Sequence, residues 1–192
     1  MNIIYNPYFT GNVYISQNLW DEVTVGDAAL LEQLLMRAGL PQTVVDDSED
    51  AEKARAQAYA EAIKAQGTTI FSNSLESDPE GTAKLLLKWR DLLVMAGWTT
   101  ADTINEGSNK LRVFALCDEA LTTYPSRADR WREVYQYLKD GHPILNNTDS
   151  IEVRIPKALI PPMIADVLEL LPNVSYKMES LDTVLKTEGH SC

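Results

Sequence analysis

The sequence of 192 residues predicts an α/β fold with a mostly parallel sheet and an all-helical insertion. Short strand patterns come first, helical patterns fill the middle, and a strand–helix–strand pattern occupies residues 151–176. This last unit has the length of a βαβ crossover, which joins parallel strands. We therefore expect an α/β core over residues 1–77 and 142–192, with the helical insertion over residues 78–141.

The beginning of the chain combines short strands with one amphipathic helix. Asn2–Tyr5 and Val13–Ile15 have the length and composition of strands. Val25–Ala38 carries leucines at helical spacing on one face, and Gly39 follows as a stop signal. Thr43–Val45 is β-branched, so it is a further strand candidate.

A second helix and another strand are predicted before the insertion. Ser48 can cap the helix, because its hydroxyl accepts an unpaired backbone N–H, and acidic residues follow in the first turn. The Ala-rich pattern continues to Ala65 and stops at Gly67. Thr68–Phe71 is predicted to be a strand from its length and β-branching.

The best-marked helix of the chain opens the predicted insertion. Asp78 suits the N-cap position, and Pro79 suits the first helical position, where no N–H is needed. Gly97 can adopt the left-handed conformation that ends a helix. We expect this helix to bury Leu86, Leu93 and at least one of its tryptophans inside the insertion.

Three helices and two strands are predicted in the rest of the chain. Ser108 and Ser126 are N-cap candidates for the first two helices, and a Pro-Pro pair starts the third. In chain order the predicted elements are Ser108–Thr122, Arg127–Lys139, Ile151–Ile155, Pro161–Leu171 and Val174–Tyr176.

Composition excludes several classes of function. The net charge of −11 argues against a surface built mainly to coat nucleic acid or an anionic membrane. Cys117 and Cys192 suggest no disulfide framework, so a reducing compartment fits. The sequence starts without the pattern of a signal peptide, and no apolar run approaches the roughly 20 residues that span a bilayer. The expected location is the cytoplasm, with no membrane partner.

Nucleotide chemistry is not expected, because the chain lacks a phosphate-binding loop. Nothing in it matches GxxxxGK[ST], and the turn after the first strand holds one glycine. Val113–Glu119 resembles a Walker B strand, in which acidic residues follow an apolar run. The apolar residues of this run also have helical spacing, so a helix is the favoured interpretation.

Acidic residues provide an alternative in which the chain is an enzyme. Asp46 and Asp47 follow a predicted strand, and carboxylates at such a position can hold Mg²⁺. Asp118 and Glu119 could join them in a small Mg²⁺-dependent nuclease or phosphohydrolase. Helix capping explains the acidic run around Asp46 equally well, so the favoured interpretation has no cofactor.

Basic residues around two tryptophans are candidates for contact with DNA. Cations beside an exposed aromatic ring can bind phosphates while the ring stacks on a base. The ordinary alternative is that each tryptophan packs inward while the charges are solvated. The candidate nucleic-acid-binding residues are Lys84, Lys88, Arg90, Arg127, Arg130 and Arg132.

Several segments along residues 1–176 carry a family resemblance. They are Asp78–Gly81 with Lys88–Leu93 and Ala96–Trp98, then Ala128–Tyr135, and finally Ile151–Pro156 with Leu159–Pro162. Together they resemble the N-terminal region of AddB-like bacterial proteins. These are large helicase-like proteins of recombination and repair that contain a PD-(D/E)XK nuclease domain.

The resemblance implies a degenerate P-loop helicase-like domain that has lost its nucleotide loop. Such a region serves as a scaffold and as a surface that contacts DNA or a partner, and the family's nuclease lies far beyond it. No catalytic residue of the family matches this chain, so no activity is expected of it alone. The implied partners are DNA and the remainder of a longer chain or another subunit. A protein–protein adaptor without a nucleic-acid role is a further alternative.

Overall fold

The protein consists of two compact units. The sheet unit comprises Met1–Gln42 and Trp131–Cys192, and the helical unit comprises Thr43–Arg130. The insertion predicted over residues 78–141 lies partly in each unit and stays a prediction. The computed structural model describes residues 1–8, 14–15, 22–41, 48–100, 109–121 and 124–177.

The sheet unit contains a five-stranded sheet in the order β2-β3-β1-β4-β5. Strands β3, β1, β4 and β5 are parallel, and the two-residue strand β2 is antiparallel to β3 at the edge. The predicted α/β fold with a mostly parallel sheet is therefore confirmed. The strands are β1 (Asn2–Tyr5), β2 (Tyr14–Ile15), β3 (Glu22–Val25), β4 (Ser150–Val153) and β5 (Val174–Tyr176).

Strand β1 is the centre of the sheet. Ile3, Ile4 and Tyr5 are all buried, as expected for a parallel strand that is covered on both faces. Tyr5 lies opposite Val25 of β3 and Val153 of β4, so the carboxyl ends of three strands coincide. This alignment defines one polar edge of the sheet, where connecting loops and helices begin.

Two helices of the sheet unit follow parallel strands in the chain. Helix α1 (Asp27–Ala38) buries four leucines and ends at Gly39, whose φ of 68° is the left-handed conformation that suits glycine. The helix was predicted to begin at Val25, but this residue ends β3, a strand that was not predicted. The predicted βαβ unit is confirmed, since the helix Pro162–Leu170 connects parallel strands β4 and β5.

In its described residues, the helical unit contains helices and no strand. Helix α2 packs on α4, and a 3-10 turn over Asp118–Leu121 follows α5. The next helix, α6, begins in this unit and ends in the sheet unit, and the βαβ helix is α7. The elements are α2 (Glu49–Lys64), α3 (Ser72–Ser77), α4 (Pro79–Met95), α5 (Asn109–Cys117), α6 (Arg127–Lys139) and α7 (Pro162–Leu170).

The predicted caps are confirmed where the structure describes them. The Ser48 hydroxyl accepts the N–H of Ala51 at 3.2 Å, and the Asp78 carboxylate accepts the N–H of Gly81 at 3.0 Å. Ser126 caps α6 by accepting the N–H of Asp129 at 3.3 Å. The Asp129 carboxylate in turn accepts the N–H of Ser126 at 2.8 Å, which completes a capping box.

Two predicted strands have different outcomes. The prediction of a strand over Thr68–Phe71 is wrong, because this segment is a turn that leads into α3. The N–H of Thr69 donates to the Ser72 hydroxyl at 2.8 Å, and the N–H of Phe71 donates to the Thr69 hydroxyl at 3.2 Å. These local bonds compete with strand pairing. The strand predicted over Thr43–Val45 lies outside the described residues.

Two further sequence predictions concern helices. The Walker B-like run lies in α5 and the 3-10 turn after it, so the helical interpretation is confirmed. In the described part of the chain, no helix is both long enough and apolar enough to cross a membrane.

Candidate functional site

The interior of the helical unit contains a charged cluster around one guanidinium group. Arg90 of α4 is 1% exposed and contacts three carboxylates. Its Nη1 lies 2.8 Å from Asp91, and its Nη2 and Nε lie 2.6 Å and 3.0 Å from the same oxygen of Asp118. Nη2 also donates to Asp129, in the first turn of α6. One helix therefore binds two elements that follow it in the chain.

Arg55 and Ser126 complete this network. Arg55 of α2 donates through Nη2 to Asp91 at 3.1 Å and through Nε to the carbonyl of Tyr124 at 3.1 Å. The Ser126 hydroxyl lies 3.1 Å from Asp91 and 3.0 Å from Asp129. The arginine–aspartate cluster, as we call it, consists of Arg55, Arg90, Asp91, Asp118 and Asp129.

Electrostatics favour the charged forms of Arg90 and Asp129 in this cluster. Burial alone would raise the pKa of Asp129, but the hydrogen bond and charge of Arg90 and the bonds from Ser126 hold that pKa below its ordinary value. Burial likewise opposes the charge of Arg90, and the three carboxylates outweigh it and raise the arginine pKa. Arg90 and Asp129 are therefore suited to a structural ion pair that holds α4 and α6 together.

The cluster also bears on the candidate metal ligands. Asp118 accepts two hydrogen bonds from Arg90, so its carboxylate is already paired with a cation from the protein. Asp46 and Asp47 lie outside the described residues, as does the side chain of Glu119. Across the described part of the chain, no group of three or more His, Cys, Asp or Glu residues is arranged to hold a metal ion.

The structure separates the six candidate DNA-binding residues. Arg90 and Arg130 are buried, so neither can serve as a surface contact for a phosphate backbone. Lys84 is half-buried and pairs with Glu80 at 2.7 Å, one turn earlier on α4. The remaining three are Lys88 and Arg127, which are exposed, and Arg132, which is half-buried.

A row of exposed apolar side chains follows one side of α4. Leu85, Trp89 and Leu92 are between 46% and 61% exposed. Their spacing of four and three residues places them on one face of the helix, which we call the outer face of α4. The opposite face is buried and consists of Ala83, Leu86, Leu87, Arg90 and Val94.

This arrangement refines what was expected of α4. Leu86 is buried as predicted, and the buried tryptophan is Trp98, just beyond the helix. Leu93 is half-buried, and Trp89 points away from the core. A helix that is apolar on two opposite faces has one face more than its own fold requires.

The carboxyl edge of the sheet is the other place where this fold can hold a site. Chain order reverses beside β1, and open α/β sheets bind ligands at such a switch point. There the Tyr5 hydroxyl donates to Asp27, and burial with that carboxylate raises the tyrosine pKa. Glu152 forms ion pairs with Arg154 at 3.2 Å and with Lys177 at 3.4 Å. Because these groups pair with one another, we assign them a structural role.

Sequence reasoning missed the arginine–aspartate cluster. It treated Arg90 as a surface cation beside a tryptophan. One signal was present, since Arg90 lies three or four residues from Leu86, Leu87 and Val94 and so shares their face. The carboxylate partners could not be identified, because Asp118 and Asp129 lie 28 and 39 residues away in the sequence.

Comparisons with known proteins found no protein-family model, curated protein or solved structure that matches this chain. The resemblance to AddB-like proteins therefore stays a prediction. The geometry of the described residues carries the functional argument.

Proposed function

We propose that this chain is a non-catalytic scaffold module that binds another protein through the outer face of α4. The observation that carries the proposal is the exposed row Leu85, Trp89 and Leu92. Apolar residues at positions i, i+4 and i+7 are the pattern by which a helix inserts into the groove of a partner. Tryptophan is also enriched among the residues that dominate binding energy at protein interfaces.

The arginine–aspartate cluster supports a scaffold role. Arg90 follows Trp89 directly in the chain and is anchored to Asp118 and Asp129. Because these bonds fix the rotation of α4 about its axis, they also fix the direction in which Trp89 points. A docking helix that is held in this way loses little conformational entropy on binding.

The finer proposal assigns the module to DNA processing. In it, the chain is a degenerate P-loop helicase-like domain with a helical insertion, and it belongs to a recombination and repair helicase–nuclease of the AddB-like kind. The parallel sheet and the absence of a GxxxxGK[ST] motif from the sequence support this proposal. The partner of the outer face of α4 is then the remainder of a longer chain or another subunit.

Contact with single-stranded DNA is a second candidate function. Lys88 and Trp89 are exposed neighbours on α4, and a cation beside an aromatic ring can bind a phosphate and stack on a base. The net charge of −11 works against this function, because the rest of the molecule repels nucleic acid.

Site-specific photo-crosslinking in the cell of origin tests the docking proposal. A photoreactive amino acid is placed at Leu92 on the outer face of α4, or at Glu76, an exposed control position on α3. We expect a discrete protein adduct from position 92 that is lost when Trp89→Lys is added. The proposal fails if both positions give the same adducts, or if neither gives a specific one.

A binding titration separates docking from DNA contact. Single-stranded and duplex oligonucleotides are titrated with the whole protein at two salt concentrations, with fluorescence anisotropy as the signal. Without a DNA role, no salt-sensitive binding tighter than micromolar is expected. Salt-sensitive binding that Lys88→Gln weakens, and that the neutral change Gln57→Ala on α2 leaves intact, would favour the second candidate.

A further inference from the structure

The helical unit has a groove on its surface that is separate from the outer face of α4. Its volume is about 560 Å³, within the range of ligand-binding clefts. One wall is the turn between α2 and α3, and the other is α5. The residues that matter for its chemistry are Gln66, Thr68, Ile70, Arg112, Val113 and Leu116.

The apolar part of the groove is open to solvent. Ile70 and Leu116 are each more than half exposed, and Val113 between them in the lining is buried. Small-molecule sites usually enclose most of their ligand. A groove whose apolar residues are this open instead suits the side chain of a peptide that remains partly in solvent.

The two walls of the groove are held in place by the fold. The Gln66 amide donates to the sulfur of Cys117 at 2.8 Å, which ties the end of α2 to α5. The rings of Phe71 and Phe114 contact each other with centroids 6.2 Å apart, which ties the turn to the same helix. The groove is therefore formed before any ligand arrives, which lowers the entropic cost of binding.

The charge in the groove selects its ligand. Arg112 is exposed and is the charged residue among those that line the groove. No hydrogen bond or ion pair to Arg112 is present among the described residues, whereas Arg37, Arg55 and Arg90 all bind carboxylates. A guanidinium group beside apolar side chains favours a carboxylate that is itself flanked by an apolar group.

We propose that this groove binds a short acidic and apolar peptide segment of a partner protein. An aliphatic or aromatic side chain of the peptide packs on Ile70 and Leu116, and an aspartate or glutamate nearby pairs with Arg112. The proposal is independent of the docking function of α4, because the two surfaces share no residue. It also gives the acidic chain a means of selecting partners, since it places one cation in a defined apolar site.

Selection from a display library of random eight-residue peptides tests this proposal on the whole protein. We expect enrichment of peptides with an acidic residue within three positions of a large apolar residue. With Arg112→Glu as the target, the enriched charge should change from acidic to basic. The best acidic peptide, made synthetically, should bind this variant about tenfold more weakly or worse, as loss of a charge-assisted bond predicts.

Three controls make the outcome decisive. Lys139→Glu changes the net charge equally but lies outside the groove, so it should leave the enriched peptides unchanged. Leu116→Asp should abolish selection, while unchanged thermal unfolding shows that each variant folds. The proposal is overturned if no peptide is enriched, or if Arg112→Glu and the unmodified protein enrich the same peptides. It is also overturned if a dimer of this chain dissociates on Arg112→Glu, since a second copy would then occupy the groove.

Discussion

Arg90 lies inside the helical unit with three carboxylates around its guanidinium group, so its removal would take a buried cation from all three, although Arg55 would still contact Asp91 and Asp129. Breaking a buried ion pair on one side costs about 3–5 kcal/mol. We expect Arg90→Met to lower the free energy of unfolding by an amount of this order. Urea denaturation monitored by circular dichroism measures it.

Two variants test whether the geometry of the guanidinium matters. Arg90→Lys keeps the charge but cannot reach Asp91, Asp118 and Asp129 at once, so it should recover only part of the loss. Lys88→Met, two residues earlier and exposed, should change the free energy by no more than about 0.5 kcal/mol. A small effect of Arg90→Met would contradict the assigned role of the cluster.

Cys117 is expected to be an unreactive thiol in the folded protein. It is buried, and burial raises its pKa to about 11, although the hydrogen bond from Gln66 acts in the opposite direction. At pH 8 the reactive thiolate is therefore a fraction on the order of one in a thousand. In a Cys192→Ser background, a thiol reagent should label Cys117 quickly in urea and slowly without it. Fast labelling of the native protein would contradict this expectation.

At the scale of elements, two neighbouring leucines on opposite faces of α4 should contribute very differently to the free energy of unfolding. Leu86 is 2% exposed, so Leu86→Ala should cost about 2–5 kcal/mol of unfolding free energy. Leu85 lies on the outer face of α4, so Leu85→Ala should cost less than about 1 kcal/mol. Denaturation of the two variants side by side measures the difference. Equal costs would show that the outer face is covered within the chain.

Element boundaries were predictable where their cause is local. Asp78 and Ser48 cap helices because their oxygens reach N–H groups three residues away. Gly97 has a φ of 91°, a conformation that few other residues adopt readily, so the end of α4 was also readable from the sequence. Such signals involve neighbours in the chain and need no tertiary structure.

Other elements depended on a competition between strand pairing and local turn formation, which the sequence alone does not decide. Thr68–Phe71 has β-branched residues, yet hydroxyl bonds between Thr69 and its neighbours form a turn instead. Glu22–Val25 is a strand because it pairs with β1, and that pairing joins residues about 20 positions apart. Short segments of this kind take their structure from the partner that they meet.

For the whole molecule, the fold class could be predicted from the order of elements along the chain. The arginine–aspartate cluster could not be predicted in this way. A βαβ unit at the end of the chain was enough to predict parallel strands. The arginine–aspartate cluster instead joins Arg55, Arg90 and Asp129 across long sequence separations. The exposure of Trp89 depends on which face of α4 is covered by α2. The sequence of α4 has apolar residues on both of its faces, so it does not decide between them.

Acid should weaken both units of the molecule through one carboxylate in each. Arg90 and Ser126 hold the pKa of Asp129 low against the effect of its burial, while the N–H of Asn146, aided by Arg37, lowers the pKa of Asp149. Because both pKa values lie below the ordinary 3.8 in the folded state, their stabilisation is complete above that pH and is lost as the pH falls through the folded values. The free energy of unfolding, measured between about pH 7 and pH 2.5, should therefore decline at the acidic end. Asp129→Asn or Asp149→Asn should lower the stability at neutral pH and make this acidic decline shallower. A decline of the same steepness in both variants would assign the acid sensitivity to other carboxylates.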